Sequence, residues 1–364
     1  MSGKNFVADK CRECGLCNKE CPLLAELGES PKRLAERGIT AWEAFSCSLC
    51  GGCEAVCPMG LSPMELFAAG RRRAVAEEFD LGEYRYLLPD RQNNLMSVYR
   101  RYSGIDYSDL APTGDTASAF FPGCTLLTYA PDLTREVYAR LRAEGGCGGV
   151  LTACCGKPLT QLGLAQRAET AAGKLLARLK ELRVRELIVA CPGCYYELRP
   201  ILRPAGIGLR TVYEVLGDRL TGPAGGELCT VHDSCPDRFE GIFGRQVRGL
   251  LAARGFSLAE MAHSQKNTVC CGSGGMISHF RSDRTEELVK KRLKEARATG
   301  ADVLVSYCLS CTLKFSAAAD GLAVDHALSL LLGRREAFAT AKAKVAAMLE
   351  GPQGEALWAE IMAD

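Results

Sequence analysis

Two cysteine-rich tracts in this chain could do chemistry. Cys154-Cys155-Gly156 and Cys270-Cys271-Gly272 each have a lone cysteine upstream, Cys124 and Cys235. Each also has a C-x2-C pair downstream, Cys191/Cys194 and Cys308/Cys311. The intervening stretches are 29 and 35 residues in the first copy and 34 and 36 in the second. Five thiols therefore occur twice in the same order. Four thiolates already close a tetrahedral zinc site or a cubane, so a fifth is surplus to either. A complete set points to a cluster with a bridging thiolate or an unusual iron geometry. Neighbouring side chains of an extended strand face opposite ways. For both members of a doublet to serve one cluster the backbone must bend, and the glycine that follows permits the bend.

The N-terminus carries a second kind of pattern. Cys11, Cys14, Cys17 and Cys21-Pro22 spell C-x2-C-x2-C-x3-C-P, and Cys47, Cys50, Cys53 and Cys57-Pro58 repeat it. This is the bacterial ferredoxin signature, in which the fourth cysteine of each run ligates the other cluster. Cys11, Cys14, Cys17 and Cys57 are thereby assigned to one cubane 4Fe–4S cluster, and Cys47, Cys50, Cys53 and Cys21 to a second. A zinc ribbon would need two pairs, not two quartets with trailing prolines.

The doubled five-cysteine pattern resembles the CCG modules of the heterodisulfide reductase family. That family includes the iron–sulfur subunits of glycolate, lactate and anaerobic glycerol-3-phosphate dehydrogenases. The resemblance covers most of the chain, because the dicluster signature is the family's other hallmark. It implies a non-cubane 4Fe–4S cluster on each complete set: Cys124, Cys154, Cys155, Cys191 and Cys194 in one, Cys235, Cys270, Cys271, Cys308 and Cys311 in the other. It also implies that a disulfide could be held and cleaved between the two sets. Cys154, Cys155, Cys270 and Cys271 would then be the catalytic cysteines, with Gly156 and Gly272 lining the approach.

The chain has 364 residues, enough for two or three modest cores, and a formal charge of +2 that counts thiols as neutral. Eighteen cluster-bound thiolates would make the loaded protein acidic, which argues against a nucleic-acid partner. Twenty cysteines in metal-ligand spacings, with no signal peptide, fit a reducing cytoplasm better than a disulfide framework. No apolar run reaches the ~20 residues that span a bilayer, so membrane association would come through a partner.

The elements that must position these thiols follow from pattern. Residues 1–80 read as a helical dicluster ferredoxin domain, with Ser30 capping a helix that Pro31 opens and Gly38 ends. A further helix starts at Ser62-Pro63, and its Arg71, Arg72 and Arg73 read as a solvated face, with a docking patch as the alternative. Residues 81–118 form a tyrosine-bearing linker; its tyrosines read as packing a domain seam rather than relaying electrons. Residues 119–225 and 226–334 read as two pseudo-symmetric α/β CCG modules, followed by a helical tail over 335–364. In the first module, strands over 119–121 and 186–190 deliver Cys124 and Cys191. In the second, strands over 227–232 and 302–305 deliver Cys235 and Cys308. Helices are expected over 131–143, 165–182, 239–253 and 283–298. Alternating strands and helices predict small parallel sheets with ligands at the carboxyl ends of the strands.

Some residues lie outside these motifs. Cys229 reads as a small buried hydrophobe and Cys147 as a free thiol beside the first doublet. His232, His263, His279 and His326 read as satisfied histidines, though His232-Asp233 could also supply a proton near its cluster. Lys157 offsets cluster charge, and Gly272 to Gly275 pack closely against the cluster. No flavin, nicotinamide or phosphate-loop signature is present.

Two functions share every ligand. One is a reductase subunit taking electrons through two cubanes to paired CCG clusters that reduce a disulfide or similar acceptor. The other is a non-catalytic electron-transfer subunit serving a flavoprotein that oxidises a 2-hydroxy acid, glycerol phosphate or acyl-CoA. Either way a flavoprotein or other electron-donating subunit is the expected partner. A zinc-binding scaffold is the third and weakest reading.

Overall fold

Short apolar runs that end at cysteines frame both modules. The computed structural model describes residues 3–80, 82–220, 222 and 225–363. Ser118–Phe121 (β1), Glu186–Val189 (β2) and Gly208–Thr211 (β3) form one parallel sheet in the order β1-β2-β3. Val150 bridges in parallel to Phe120 on the free edge of β1. Leu228–His232 (β4), Ser257–Leu258 (β5), Val303–Ser306 (β6) and Ala323–His326 (β7) form a second parallel sheet in the order β5-β4-β6-β7. Val150 stands where β5 stands, so the two sheets repeat one topology. Every residue of β1 and of β6 is buried, as expected of parallel strands covered on both faces. Burying a side chain such as Phe120 or Leu304 contributes ~1.5–3 kcal/mol.

The crossover helices lie close to where the pattern puts them, at Pro131–Gly145, Ala165–Glu181 and Ser282–Ala298. The helix expected from residue 239 begins instead at Ile242. The Asp237 carboxylate accepts the backbone N–H groups of Phe243 (3.3 Å) and Gly244 (2.8 Å), so the preceding residues form a separate tight turn that carries Cys235. One continuous core runs from Tyr107 to Phe338 through both modules. At their seam Phe243 meets Tyr195 and Tyr213 edge-on, with ring centroids 5.5 and 6.1 Å apart.

The N-terminal domain is helical and has its own core, including Leu24, Leu34 and Phe67. Its helix Pro31–Arg37 begins at Ser30, whose hydroxyl accepts the Arg33 N–H at 3.3 Å. The linker contributes an α-helix, Leu95–Tyr102, started by Asn94, and two short 3-10 turns, Arg85–Leu87 and Ser108–Leu110. Its Val98 and Tyr99 pack with Met348 and Ile361 of the two tail helices, Ala341–Met348 and Gly351–Met362. The linker tyrosines do pack seams: Tyr99 against Tyr129, Tyr86 against Trp358, and Tyr107 donating to the Leu127 carbonyl at 2.9 Å. Tyr102 is the exception and is exposed. Among the described residues no helix is long and apolar enough to cross a membrane.

Candidate iron–sulfur sites

In the N-terminal domain the two cysteine runs cross. Cys11, Cys14, Cys17 and Cys57 line one pocket. Cys21, Cys47, Cys50 and Cys53 line a second of about 330 Å³. The left-handed Gly15 (φ 75°) and Gly51 (φ 72°) turn the chain into short helices that aim the following cysteines inward. Burial pushes the Cys17 thiol up to about 11, with Cys11, Cys14 and Cys57 adding to it. Burial likewise lifts Cys21 to about 11, reinforced by Cys50, and Cys47 to about 12, reinforced by Cys21. Thiols gathered this way resist ionisation unless a cation joins them, as a thiolate-bound iron cluster does.

Each five-cysteine set forms a chain of neighbouring sulfurs. In the first module Cys154 interacts with Cys124 and Cys155, and Cys194 with Cys155 and Cys191. In the second, Cys270 interacts with Cys235 and Cys271, and Cys311 with Cys271 and Cys308. The Cys271 and Cys311 sulfurs are 3.1 Å apart. The second thiol of each doublet is pulled down because its neighbours donate to it: Cys154 and Cys194 to Cys155, Cys270 and Cys311 to Cys271. Cys124, Cys191, Cys235 and Cys308 follow the carboxyl ends of β1, β2, β4 and β6. Gly156 (φ 84°) and Gly272 (φ 77°) are both left-handed, and the bend expected after each doublet is there. All twenty cysteines are free. Cys147 and Cys229 stand apart, and burial raises their thiols to about 11 and about 12.

The sets are not isolated. Cys50 interacts with Cys270, and both line one cavity, joining the ferredoxin domain to the second module. Cys308 interacts with Cys191, joining the second module to the first. Lys157 faces Cys235, Cys155 and Cys191 together; burial pulls its ammonium down, but these thiols and Glu197 outweigh that and leave it raised. The sulfurs that meet across the module seam are thus Cys191 and Cys308, whereas Cys270 turns toward Cys50. Gly272 packs closely on a neighbouring helix. A Cβ there would come within 3.0 Å of Thr285 on the helix Ser282–Ala298, and one on Gly156 would meet only the Ala168 carbonyl, at 3.9 Å.

Three further expectations are corrected. Arg71 is fully buried, and its guanidinium donates to the carbonyls of Ala44, Phe45 and Cys47, of Gln161, and of Gly275. It is an internal clamp across all three units; only Arg72 and Arg73 are exposed. Gly274 and Gly275 pack against the backbone of Cys47 and Ser48 in the ferredoxin domain. His326 is only half satisfied: Nδ1 accepts the Leu328 N–H at 3.3 Å, while Nε2 is buried without a partner. The buried Tyr213 hydroxyl is also unpartnered, close enough to Cys308 and Cys191 to feel their charge. Sequence reasoning singled out neither Tyr213 nor Arg238. Arg238 donates to the carbonyls of Cys50 (3.1 Å) and Thr268 (2.7 Å), and nothing in local spacing signals it.

The profile of the cysteine-rich CCG domain matches residues 118–199 and 229–316, and that of a 4Fe-4S dicluster domain matches residues 10–62. The chain belongs to the heterodisulfide reductase-like family of iron–sulfur subunits. It is 24% identical over 383 residues to one subunit of the dihydromethanophenazine:CoB–CoM heterodisulfide reductase of Methanosarcina mazei, covering 87% of this chain and 90% of that protein. It is 25% identical to one subunit of the fumarate reductase (CoM/CoB) of Methanothermobacter marburgensis, over 88% of this chain and 70% of that one. Lactate utilization protein A 1 of Bacillus mycoides is 25% identical over 54% of this chain and 86% of its own. Like other members of the family, this chain is an iron–sulfur oxidoreductase or electron-transfer subunit with both kinds of cluster-binding domain.

Proposed function

We propose that this chain passes electrons through two cubane 4Fe–4S clusters to two non-cubane 4Fe–4S clusters, and reduces a disulfide or related acceptor at the seam between its CCG modules. The ligands would be Cys11, Cys14, Cys17 and Cys57; Cys47, Cys50, Cys53 and Cys21; Cys124, Cys154, Cys155, Cys191 and Cys194; and Cys235, Cys270, Cys271, Cys308 and Cys311. The observation that carries the reading is continuity. The ferredoxin set touches the second CCG set through Cys50 and Cys270, and that set touches the first through Cys308 and Cys191. The donor sets fit such clusters in number and type, being four disjoint groups of soft thiolates.

Clusters at these sets would supply electrons singly along the chain and as a pair at the seam. The overall change is R–S–S–R′ plus two electrons and two protons to two thiols. The residues of the chain supply the surroundings. Each doublet, Cys154/Cys155 and Cys270/Cys271, keeps two thiols on one cluster, the basis for their proposed catalytic role. The Lys157 ammonium faces both sets and can hold a thiolate product. Tyr213 offers an unpaired hydroxyl at the same seam. An electron-donating partner, a flavoprotein for example, is part of the proposal, and it is supported by two relatives that are themselves named as single subunits of larger reductases.

The second reading is a non-catalytic conduit for a flavin-dependent dehydrogenase, and the similarity to a lactate utilization protein favours it. Anaerobically reconstituted protein tests both. The proposal expects about sixteen irons per chain, EPR signals from a non-cubane species, and disulfide reduction driven by reduced methyl viologen. About eight irons without a non-cubane signal would remove the CCG clusters from the reading. Full loading with no disulfide turnover would select the conduit.

A further inference from the structure

One ring nitrogen of His232 and the sulfurs of Cys271 and Cys311 all lie within 4.8 Å of one another, a grouping that on distance alone could hold a metal. The hydrogen bonds around the ring decide otherwise. Arg292 is fully buried, and its Nε–H donates to His232 Nδ1 at 3.0 Å. The far side of the guanidinium is held by the Glu295 carboxylate and the His263 carbonyl, at 2.7 and 2.6 Å. A guanidinium is always a donor. Nδ1 must therefore be the acceptor nitrogen, and the proton of the neutral ring sits on Nε2. Ligation of iron through Nε2 would move that proton to Nδ1, where it would face another N–H. That leaves the Nε2 proton available to Cys271, which belongs to the same 4.8 Å grouping and interacts with His232.

We infer that His232 is a hydrogen-bond donor to the Cys271 thiolate rather than an iron ligand, and that it makes the second five-cysteine set electronically unlike the first. The inference rests on reading that set as cluster ligands. The first module has no equivalent. His232 ends β4 three residues before Cys235, and Phe121 ends β1 three residues before Cys124. A hydrogen bond to a ligating sulfur withdraws charge from it and favours the reduced cluster. The second set, next to Cys50, is therefore the more readily reduced of the pair and fills first. Arg292 acts through His232 as a positioning residue, fixing its tautomer.

The test is a redox titration followed by EPR on the anaerobically loaded full chain. His232→Phe, which copies the first module, is expected to lower one non-cubane midpoint. At fixed potential the oxidised-to-reduced ratio of that cluster should rise roughly tenfold, ~59 mV for a one-electron couple. The other three midpoints should hold. His232→Gln keeps an N–H and should stay near wild type. Four unmoved midpoints in a fully loaded His232→Phe protein would overturn the inference. Pulsed EPR of the wild type gives a check that needs no variant: a weakly coupled nitrogen is expected, and the strong coupling of an iron-bound nitrogen would overturn it. Failure of the cluster reading itself would be seen separately, as wild-type protein lacking any non-cubane signal, and would end the inference with it.

Discussion

Gly156 and Gly272 follow matching doublets and share a left-handed backbone, yet their surroundings differ. A valine at either position meets a conformation that a β-branched residue tolerates poorly, costing ~1–3 kcal/mol. At Gly272 the added Cβ also meets Thr285 at 3.0 Å, while at Gly156 it makes only an ordinary contact, 3.9 Å from the Ala168 carbonyl. Gly272→Val is therefore expected to lower the melting temperature more than Gly156→Val and to lose iron from the second set. Equal melting shifts would show that backbone strain alone governs both sites. Lys157 faces both sets without carrying a sulfur. Lys157→Met is expected to cut disulfide turnover at least about tenfold, equivalent to ~1.4 kcal/mol in the transition state, while dithionite still reduces every cluster. Unchanged turnover would remove Lys157 from the seam chemistry.

At the scale of elements, Arg71 makes one helix of the ferredoxin domain answerable to both modules. Burial pulls its pKa down to about 10, which leaves it charged at neutral pH, and five carbonyls share the guanidinium protons. Removing the donor strands acceptors at ~1–3 kcal/mol each, not fully additive. Arg71→Met is expected to destabilise the fold by at least about 3 kcal/mol, measured by denaturant unfolding, and to expose the domain junctions to protease. A loss below about 1 kcal/mol would mean water replaces the clamp. Both doublets depend on similar elements, since parallel strands of one topology deliver their partner cysteines at strand ends. That repetition is why a pattern in the sequence could be read twice over.

At the scale of the molecule, the four sets are neighbours in series: the Cys14 set, then the Cys50 set, then the second CCG set, then the first. Cys14 is exposed, so under the proposed path electrons would enter at its set. Cys14→Ser is expected to remove or convert one conventional 4Fe–4S signal and slow reduction by a protein donor, with both non-cubane signals retained. Loss of all signals together would show that the ferredoxin set is needed for assembly of the rest.

What the sequence determined by itself was local and covalent. Which thiols exist, their spacing and the glycines beside them follow from chain order, so the grouping of the cysteine runs, the doubled sets, the strands β1, β2, β4 and β6 and the helices expected between them were legible, while β3, β5, β7 and the helices Pro192–Leu202 and Leu309–Ser316 were not. The solvated reading of Arg71 failed because a run of three arginines in a helix reads the same whether each faces water or one of them faces a ring of carbonyls. The start of the helix at Ile242 was missed because Asp237 caps it from outside its own periodicity. The meeting of Cys50 with Cys270, and of Cys191 with Cys308, lies between residues more than a hundred positions apart. So does the clamp from Arg71 to Gly275. The tautomer of His232 is set by an arginine sixty residues away in sequence. Such choices rest on which surfaces are buried against one another, and only the packed tertiary structure makes them.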